Sequence, residues 1–170
     1  MSTPILTTGR LILRPPVAGD ARAIADILND WEVTKWLTMV PFPYTLADAE
    51  EFLGNLFADN DRNYWLVEIE GTVAGAISLR PDLGFFLAPE AHGKGIMTEA
   101  ARAVLSWHFS KSDERAVSGY HVGNIASARV QEKLGFCPTH EVIDRKVSTG
   151  EDVTVIKTAL SKADWEASDV

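Results

Sequence analysis

Cysteine is almost absent from the sequence, whose 170 residues include only Cys137. A single cysteine can form neither an internal disulfide nor a metal-binding cluster with other cysteines, and we expect no metal site. So little cysteine is typical of a protein of the reducing cytoplasm, which is the location we expect. Cys137 follows Phe136 in an apolar segment, and free cysteines are usually buried, so we also expect a buried thiol.

Basic residues and long apolar runs are also scarce. The 16 Lys and Arg residues are outnumbered by 24 Asp and Glu, giving a net charge of −8. Nucleic-acid surfaces need clustered basic residues, so we expect no nucleic-acid partner. No run of 18 apolar residues and no basic-then-apolar leader is present, which predicts neither a membrane span nor a secretory signal. A hydrophobic content of 46% is enough for one domain, spanning residues 1–170, with a substantial core.

Local patterns in the first half predict one strand, two helices and a hairpin. RLILR (10–14) alternates as a strand does, and Asp20 is expected to cap the helix that follows. Thr45 with Asp48 predicts the start of a second helix. Residues 64–79 read as a hairpin turning at Glu70 and Gly71.

The second half predicts a change of connectivity. Strands are expected at 83–88 and 115–122, with a helix over 98–109 between them and a parallel crossover at about 95–115. Asn124 is expected to cap a helix ending at Gly135, and two more strands and a short tail helix from Ser161 follow. This order predicts a mixed α/β (α+β) domain with a largely antiparallel sheet.

The segment PEAHGKGIMTEA (89–100) is the chemically most suggestive part of the chain. Glycines let a backbone turn tightly and approach a ligand, and the N–H groups that begin the next helix favour anions such as pyrophosphate. A plain strand-to-helix turn fits equally well, because short glycine patterns are weak signals. The pattern is neither a Walker loop nor GxGxxG, which disfavours a nucleotide-binding module.

LGFFLAPEAHGKGIMTEA resembles the acetyl-CoA pyrophosphate loop of the GNAT superfamily of N-acetyltransferases. The superfamily pattern is Gln/Arg-x-x-Gly-x-Gly/Ala, which falls here on His92, Gly95 and Met97, so only Gly95 follows it strictly. GRLILRPP, PFPYT and NIASARVQEKLGF each resemble the ribosomal-protein N-terminal acetyltransferase (RimJ/RimL-like) branch and occur in the expected order. Together these segments cover nearly the whole chain.

The resemblance implies a GNAT fold and a site for acetyl-CoA. The fold would be a single mixed, mostly antiparallel sheet with splayed central strands at 83–88 and 116–122, flanked by helices on both faces. Main-chain N–H groups of the loop would hold the pyrophosphate, so Met97 would point its N–H at phosphate and its side chain at the interior. The expected cofactor-binding residues are Phe85, Phe86, Leu87, His92, Gly93, Lys94, Gly95, Ile96, Met97, Thr98, Asn124, Ser127 and Lys133.

Candidates for the chemistry follow from the same resemblance. Ser127 would protonate the leaving thiolate, although a capping-turn hydroxyl is the alternative. Asp82 or His121 could act as the general base that takes the proton of the amine. The alternatives are that Asp82 is only a turn residue and His121 only a strand residue, and that a chain of water molecules carries the proton to solvent. Because an amine attacks the thioester directly, Cys137 is not needed as a nucleophile. Trp36 and Tyr44 are candidate substrate contacts unless they only pack.

The function predicted is therefore an acetyl-CoA-dependent N-acetyltransferase acting on a protein N-terminus or a small amine. A catalytically silent acyl-CoA-binding or regulatory domain on the same scaffold is the alternative. The sequence leaves the acceptor and the oligomeric state open, although dimers are common in the family and a homodimer would fit.

Overall fold

The computed structural model describes residues 2–168 and contains eight strands and six helices within them. The strands are β1 (Leu6–Thr7), β2 (Leu11–Arg14), β3 (Asn63–Ile69), β4 (Thr72–Leu79), β5 (Leu83–Leu87), β6 (Ala116–His121), β7 (Cys137–Arg145) and β8 (Asp152–Leu160). The helices are α1 (Ala21–Leu28), α2 (Trp31–Thr34), α3 (Leu46–Ala58), α4 (Ile96–Lys111), α5 (Ile125–Leu134) and α6 (Lys162–Ser168).

The strands form two antiparallel sheets instead of the expected single mixed sheet. Hydrogen bonding gives the orders β1-β2-β3-β4-β5 and β6-β8-β7, and every ladder in the described part of the chain is antiparallel. The predicted crossover exists as β5–α4–β6, but β5 and β6 form no ladder with each other. The central strands therefore splay so far that the sheet divides between them.

Two hydrophobic cores lie on opposite faces of the first sheet. Because successive side chains of a strand point to opposite faces, Trp65 and Val67 of β3 enter a core with α4 and α6. Tyr64 and Leu66 enter a second core with α1, α2 and α3. All four side chains are buried, so this strand is covered on both faces, as the continuous apolar run in its sequence requires.

Local signals mostly located the elements correctly. Thr45 Oγ1 accepts from the N–H of Asp48, whose carboxylate accepts from the N–H of Thr45, a reciprocal capping box that confirms the predicted start of α3. The β3–β4 hairpin turns at Glu70 and Gly71, both with positive φ, as expected.

The prediction for Asp20 was wrong. Asp20 closes a 3₁₀ turn before α1 and makes no side-chain cap to that helix. Its carboxylate accepts two 2.9 Å hydrogen bonds from Arg14 and one from the N–H of Val17. Arg14 also pairs with Glu68, and its hydrogen bonds hold the pKa of Asp20 below its usual value. A charged partner on β2 thus displaces the local capping role.

The prediction of a buried Cys137 was also wrong. Phe136 is buried, but Cys137 begins β7, whose residues are almost all exposed. Neighbouring strand residues point to opposite faces, so burial of Phe136 sends the next side chain to solvent. None of the helices within residues 2–168 is both long and apolar enough to cross a membrane.

Candidate active site

A cleft opens between β5 and β6 where the two sheets part. The beginnings of the strands are tied together: Ser118 Oγ donates to the carbonyl of Leu83 at 2.7 Å, and Lys157 Nζ pairs with Asp82 at 2.5 Å. The other ends lead to the glycine loop after β5 and to Asn124 after β6. The cleft is therefore closed at the strand starts and open at the strand ends.

Both strand edges that face the cleft carry main-chain groups without ladder partners. The N–H of Ala88 bonds the carbonyl of Ala74 on β4, and alternate residues of an antiparallel strand share an edge. The main chain of Phe85 therefore faces β6. By the same argument from the bond between Val122 and Thr154, the main chain of Gly119 faces β5. The carbonyl of Gly119 already accepts from Nε2 of Gln131, so an extended ligand with amide groups can bond the N–H of Gly119 and both main-chain groups of Phe85.

The glycine loop presents a row of free donors at the open end. Gly93 and Gly95 both have φ of 72°, a left-handed conformation that favours glycine. Within residues 2–168, no acceptor takes a hydrogen bond from the six successive N–H groups of 93–98. The last three begin α4, where the helix dipole is positive. A row of free main-chain donors at a helix start is suited to an anion.

Three side chains of this segment, those of His92, Ile96 and Met97, make contacts within the protein. Met97 and Ile96 are each 4% exposed and lie in the core with α4, as the sequence predicted for Met97. His92 Nε2 lies 2.9 Å from the carbonyl of Leu87, so the ring ties the loop back to the end of β5. Gly93 and Lys94 are exposed, and Thr98 is half-buried.

An ion pair that the sequence did not predict fixes the loop through the carbonyl of Lys94. Arg10 Nη1 donates to the carbonyl of Lys94 at 3.0 Å, and Arg10 also pairs with Glu99 in the first turn of α4. Hydrogen bonds from Thr8 and from Arg10 keep the pKa of Glu99 below its usual value. Both residues were visible in the sequence, Arg10 in GRLILRPP and Glu99 near the start of the helix, but no local pattern predicts that they pair.

Asn124 and Ser127 lie where β6 meets α5. Asn124 Oδ1 accepts from the N–H of Ser127 at 3.3 Å, which confirms the predicted cap and leaves the amide nitrogen of Asn124 free for another partner. Ser127 Oγ is half-buried and lies 3.4 Å from Nε2 of Gln131, a residue that the sequence analysis did not single out.

Residues 10–137 match the family of the acetyltransferase (GNAT) domain. The chain belongs to the GNAT family of acetyltransferases. YdaF of Bacillus subtilis (strain 168), provisionally named a ribosomal N-acetyltransferase, is 26% identical over 165 residues, which is 86% of this chain and 88% of YdaF. YjcK of the same organism, provisionally named an N-acetyltransferase, is 37% identical over 90 residues, which is 52% of this chain and 49% of YjcK.

Solved structures agree on the GNAT fold. A crystal structure assigned as an acetyltransferase from T. thermophilus superposes with a TM-score of 0.85 at 22% identity, covering 99% of this chain and 95% of that one. RimL, the ribosomal L7/L12 alpha-N-protein acetyltransferase, in complex with coenzyme A, gives a TM-score of 0.79 at 18% identity over 93% and 98% of the two chains. The predicted GNAT fold, with helices on both faces of an antiparallel β structure, is confirmed.

His121 and Trp36 flank the open end of the GNAT cleft. The His121 side chain is buried, with Nε2 2.8 Å from Thr38 Oγ1. Burial, helped by Lys146 and opposed by Asp144, lowers its pKa below the usual value, which favours the neutral ring. Trp36 lies over Gly123, where an added Cβ would be 3.8 Å from Cη2 of the indole. The structure thus brings these two candidates near Asn124.

The remaining candidates lie apart from this end. Asp82 stands before β5, at the closed end of the cleft, in its ion pair with Lys157. Tyr44 is 6% exposed in the second core, where burial raises the pKa of its hydroxyl to about 12. Lys133 is exposed in the last turn of α5 and forms no ion pair with any residue of the described chain. Phe85 and Phe86 pack into the first and second cores, respectively.

Proposed function

We propose that this GNAT domain transfers the acetyl group of acetyl-CoA to a primary amine, with a protein N-terminus as the favoured acceptor class and a small amine as the alternative. The observation that carries the proposal is the row of six free N–H groups at 93–98, placed at the open end of a cleft between two unpaired strand edges. We also propose that residues 1–170 act as one domain in the cytoplasm, with a homodimer allowed.

The residues present fit acetyl-CoA. The N–H groups of Gly93 to Thr98 and the dipole of α4 suit the diphosphate, because both offer positive charge without a side chain. The main-chain groups of Phe85 and the N–H of Gly119 suit the amides of the pantetheine arm, and the free amide nitrogen of Asn124 adds a donor beside them. No side-chain charge is required, which explains how the loop tolerates His92 and Met97 at positions where the family pattern has other residues.

Bound acetyl-CoA supplies a thioester on which an amine forms a C–N bond as the C–S bond breaks, the amine losing a proton and the sulfur gaining one. Ser127 donates a hydrogen bond to the sulfur as negative charge develops there. A thiol has a pKa of about 8.5, so this help is needed only modestly. Cys137 takes no part, since it is exposed on β7.

His121 is the better placed of the two candidate bases. Its lowered pKa favours a neutral ring that can accept a proton, and it lies at the end of β6 where Asn124 follows, with Nε2 against Thr38 Oγ1. Asp82 is committed to Lys157 at the closed end. An α-amine, with a pKa of roughly 7.7–8.0 against about 10.4 for lysine, needs little help to lose its proton, which suits an N-terminal acceptor.

The acceptor side supports a peptide as substrate. Residues 31–44, the end of β6 and the β7–β8 turn meet there, joined by a bond from the N–H of Val147 to the carbonyl of Thr38. Trp31 and Met39 of the same segment are exposed and offer apolar contact to the first side chains of a chain terminus. The provisional name of YdaF, a ribosomal N-acetyltransferase, points to the same acceptor class.

The test is release of free coenzyme A thiol from acetyl-CoA in the presence of N-terminal peptides, polyamines and other small amines. Acceleration by peptides with a free α-amine, lost when the peptide is N-terminally blocked, supports the proposal. Acceleration by small amines alone selects the other acceptor class. If no amine accelerates release while coenzyme A still binds in calorimetry, the transferase proposal fails and a silent binding domain is left.

A further inference from the structure

Gln131 is a fully buried polar side chain directly beneath Ser127. It is 1% exposed and lies four residues after Ser127 on α5, so both side chains share one face of the helix. Gln131 Nε2 lies 2.9 Å from the carbonyl of Gly119 and 3.4 Å from Ser127 Oγ, while Oε1 accepts from Thr158 Oγ1 at 2.6 Å. Its amide joins α5 to β6 and β8.

The orientation of this amide is determined by its neighbours. The carbonyl of Gly119 can only accept a hydrogen bond, so the amide nitrogen and not the oxygen must face it. The Thr158 hydroxyl can donate or accept, and it therefore adapts by donating to Oε1. One N–H of Gln131 is used by Gly119, and the second is directed at Ser127 Oγ.

This arrangement determines what the Ser127 hydroxyl can do. A serine inside a helix commonly donates its hydroxyl hydrogen back to a carbonyl of the preceding turn. Here Ser127 Oγ donates to no acceptor in residues 2–168, and the contact it makes is with a donor, Gln131. An oxygen that accepts from Gln131 keeps its own hydrogen free for a group on the side away from the amide.

We propose that Gln131 is a positioning residue that holds the Ser127 hydroxyl as a hydrogen-bond donor toward the sulfur of the leaving thiol. The inference rests on the proposed function, since it presupposes transfer from a thioester beside Ser127. A buried amide is costly unless its hydrogen bonds are made, and an apolar side chain of the same size would fill the position without that cost. The polar residue thus acts through Ser127 and touches no substrate.

A double-mutant cycle between Gln131→Met and Ser127→Ala tests this role. Methionine keeps the length and volume of glutamine but offers no N–H. We expect Ser127→Ala to lower kcat about tenfold and Gln131→Met about threefold, with the KM for acetyl-CoA within about twofold. In the Ser127→Ala background, Gln131→Met should lower kcat no further. Gln131→Glu, whose acid can supply at most one hydrogen, should repeat the result if the methionine variant folds poorly.

Asn63→Leu is the matched control, because it removes another buried amide, one that lies at the start of β3 and donates to Thr3 Oγ1 outside the cleft. It should lower Tm while leaving kcat unchanged. Two results would overturn the positioning role of Gln131 and leave the proposed function standing. In the first, Gln131→Met lowers kcat equally in the wild-type and Ser127→Ala backgrounds. In the second, Gln131→Met has no effect although Ser127→Ala lowers kcat. If Ser127→Ala retains full kcat, the assignment of Ser127 in the proposed function falls, and this inference falls with it.

Discussion

The two ends of the proposed reaction are built in different ways. The donor side is a continuous segment, 83–98, whose main-chain groups face the cleft and whose side chains largely pack into the cores. The acceptor side joins residues 31–44, the end of β6 and the β7–β8 turn, and it presents side chains such as Trp36 and His121. A main-chain site tolerates changes of side chain, whereas a side-chain site changes with each substitution.

The largest effect is expected on the acceptor side, from His121→Gln. If the neutral ring takes the amine proton, kcat/KM at pH 7 should fall about 100-fold, the lower end for general acid–base catalysis. In the wild type, kcat/KM should fall on the acidic side with a midpoint below about pH 6.5, because burial lowers the pKa of His121. This acidic limb should be absent from the variant. Asp82→Asn should keep that limb, and a pH–rate profile identical in His121→Gln and wild type would exclude this base.

The same pKa shift has a consequence for stability. The folded protein holds fewer protons on His121 than the unfolded chain does, so this group stabilises the fold above about pH 6.5 and loses that contribution as pH falls through the lower, folded pKa. Tm should therefore drop less steeply between pH 7.5 and 5 in His121→Gln than in wild type. Scanning calorimetry across this range measures the difference, and equal slopes would contradict the burial argument.

A substitution at Gly95 tests the main-chain nature of the donor side. Valine is strained at φ of 72°, so Gly95→Val should re-aim the N–H groups of the loop and weaken coenzyme A binding at least about tenfold in calorimetry. Gly150→Val is the matched control: Gly150 has the same φ and open space around it, but lies in the β7–β8 turn. Equal affinity in both variants would mean that the loop does not hold the diphosphate.

A smaller effect is expected from Arg10→Gln. Losing the guanidinium frees the carbonyl of Lys94 and leaves the charge of Glu99 uncompensated beside the anion site. The KM for acetyl-CoA should rise about threefold to tenfold, a cost of about 0.7–1.4 kcal/mol. An acetyl thioester that lacks the diphosphate should be used equally well by variant and wild type. Arg22→Gln, at an exposed position of α1, is the control, and a matching change there would point to a general charge effect.

The smallest effect is expected from Cys137→Ser. Cys137 is exposed at the start of β7, and direct attack by an amine needs no cysteine nucleophile. Activity should be unchanged and stability should stay within about 0.5 kcal/mol of wild type. In the native wild-type protein, a thiol reagent should modify Cys137 without loss of activity. Inactivation that Cys137→Ser prevents would place this thiol nearer the cleft than β7 allows.

Short-range signals predicted the elements well because their causes are local. The capping box and the hairpin turn depend on residues three or fewer positions apart, as Thr45 with Asp48 and Glu70 with Gly71 illustrate. The glycine loop was recognisable for the same reason. Asp20 shows where local signals fail. Its residue type is typical of a helix cap, but its carboxylate pairs with Arg14 of β2, which also pairs with Glu68 of β3.

Long-range contacts were beyond local patterns. Arg10 and Glu99 are 89 positions apart, and Gln131 meets Thr158 across 27. The splay that divides the sheet is likewise a property of β5 and β6 together, since each alone reads as an ordinary strand. Tyr44 and Trp36 looked alike in the sequence, yet one is buried in the second core and the other lies over Gly123.

The sequence by itself determined most of the element order and the glycine loop, because glycine conformations, caps and apolar periodicity act within a few residues, and the resemblance of four segments indicated the family. Only the tertiary structure decided which side chains meet at the cleft: Arg10 behind the loop, Gln131 under Ser127 and His121 against Thr38. Those contacts depend on how the two sheets pack and where they separate. Burial of apolar surface drives the packing, and it depends on the area removed from water and not on the separation of residues along the chain.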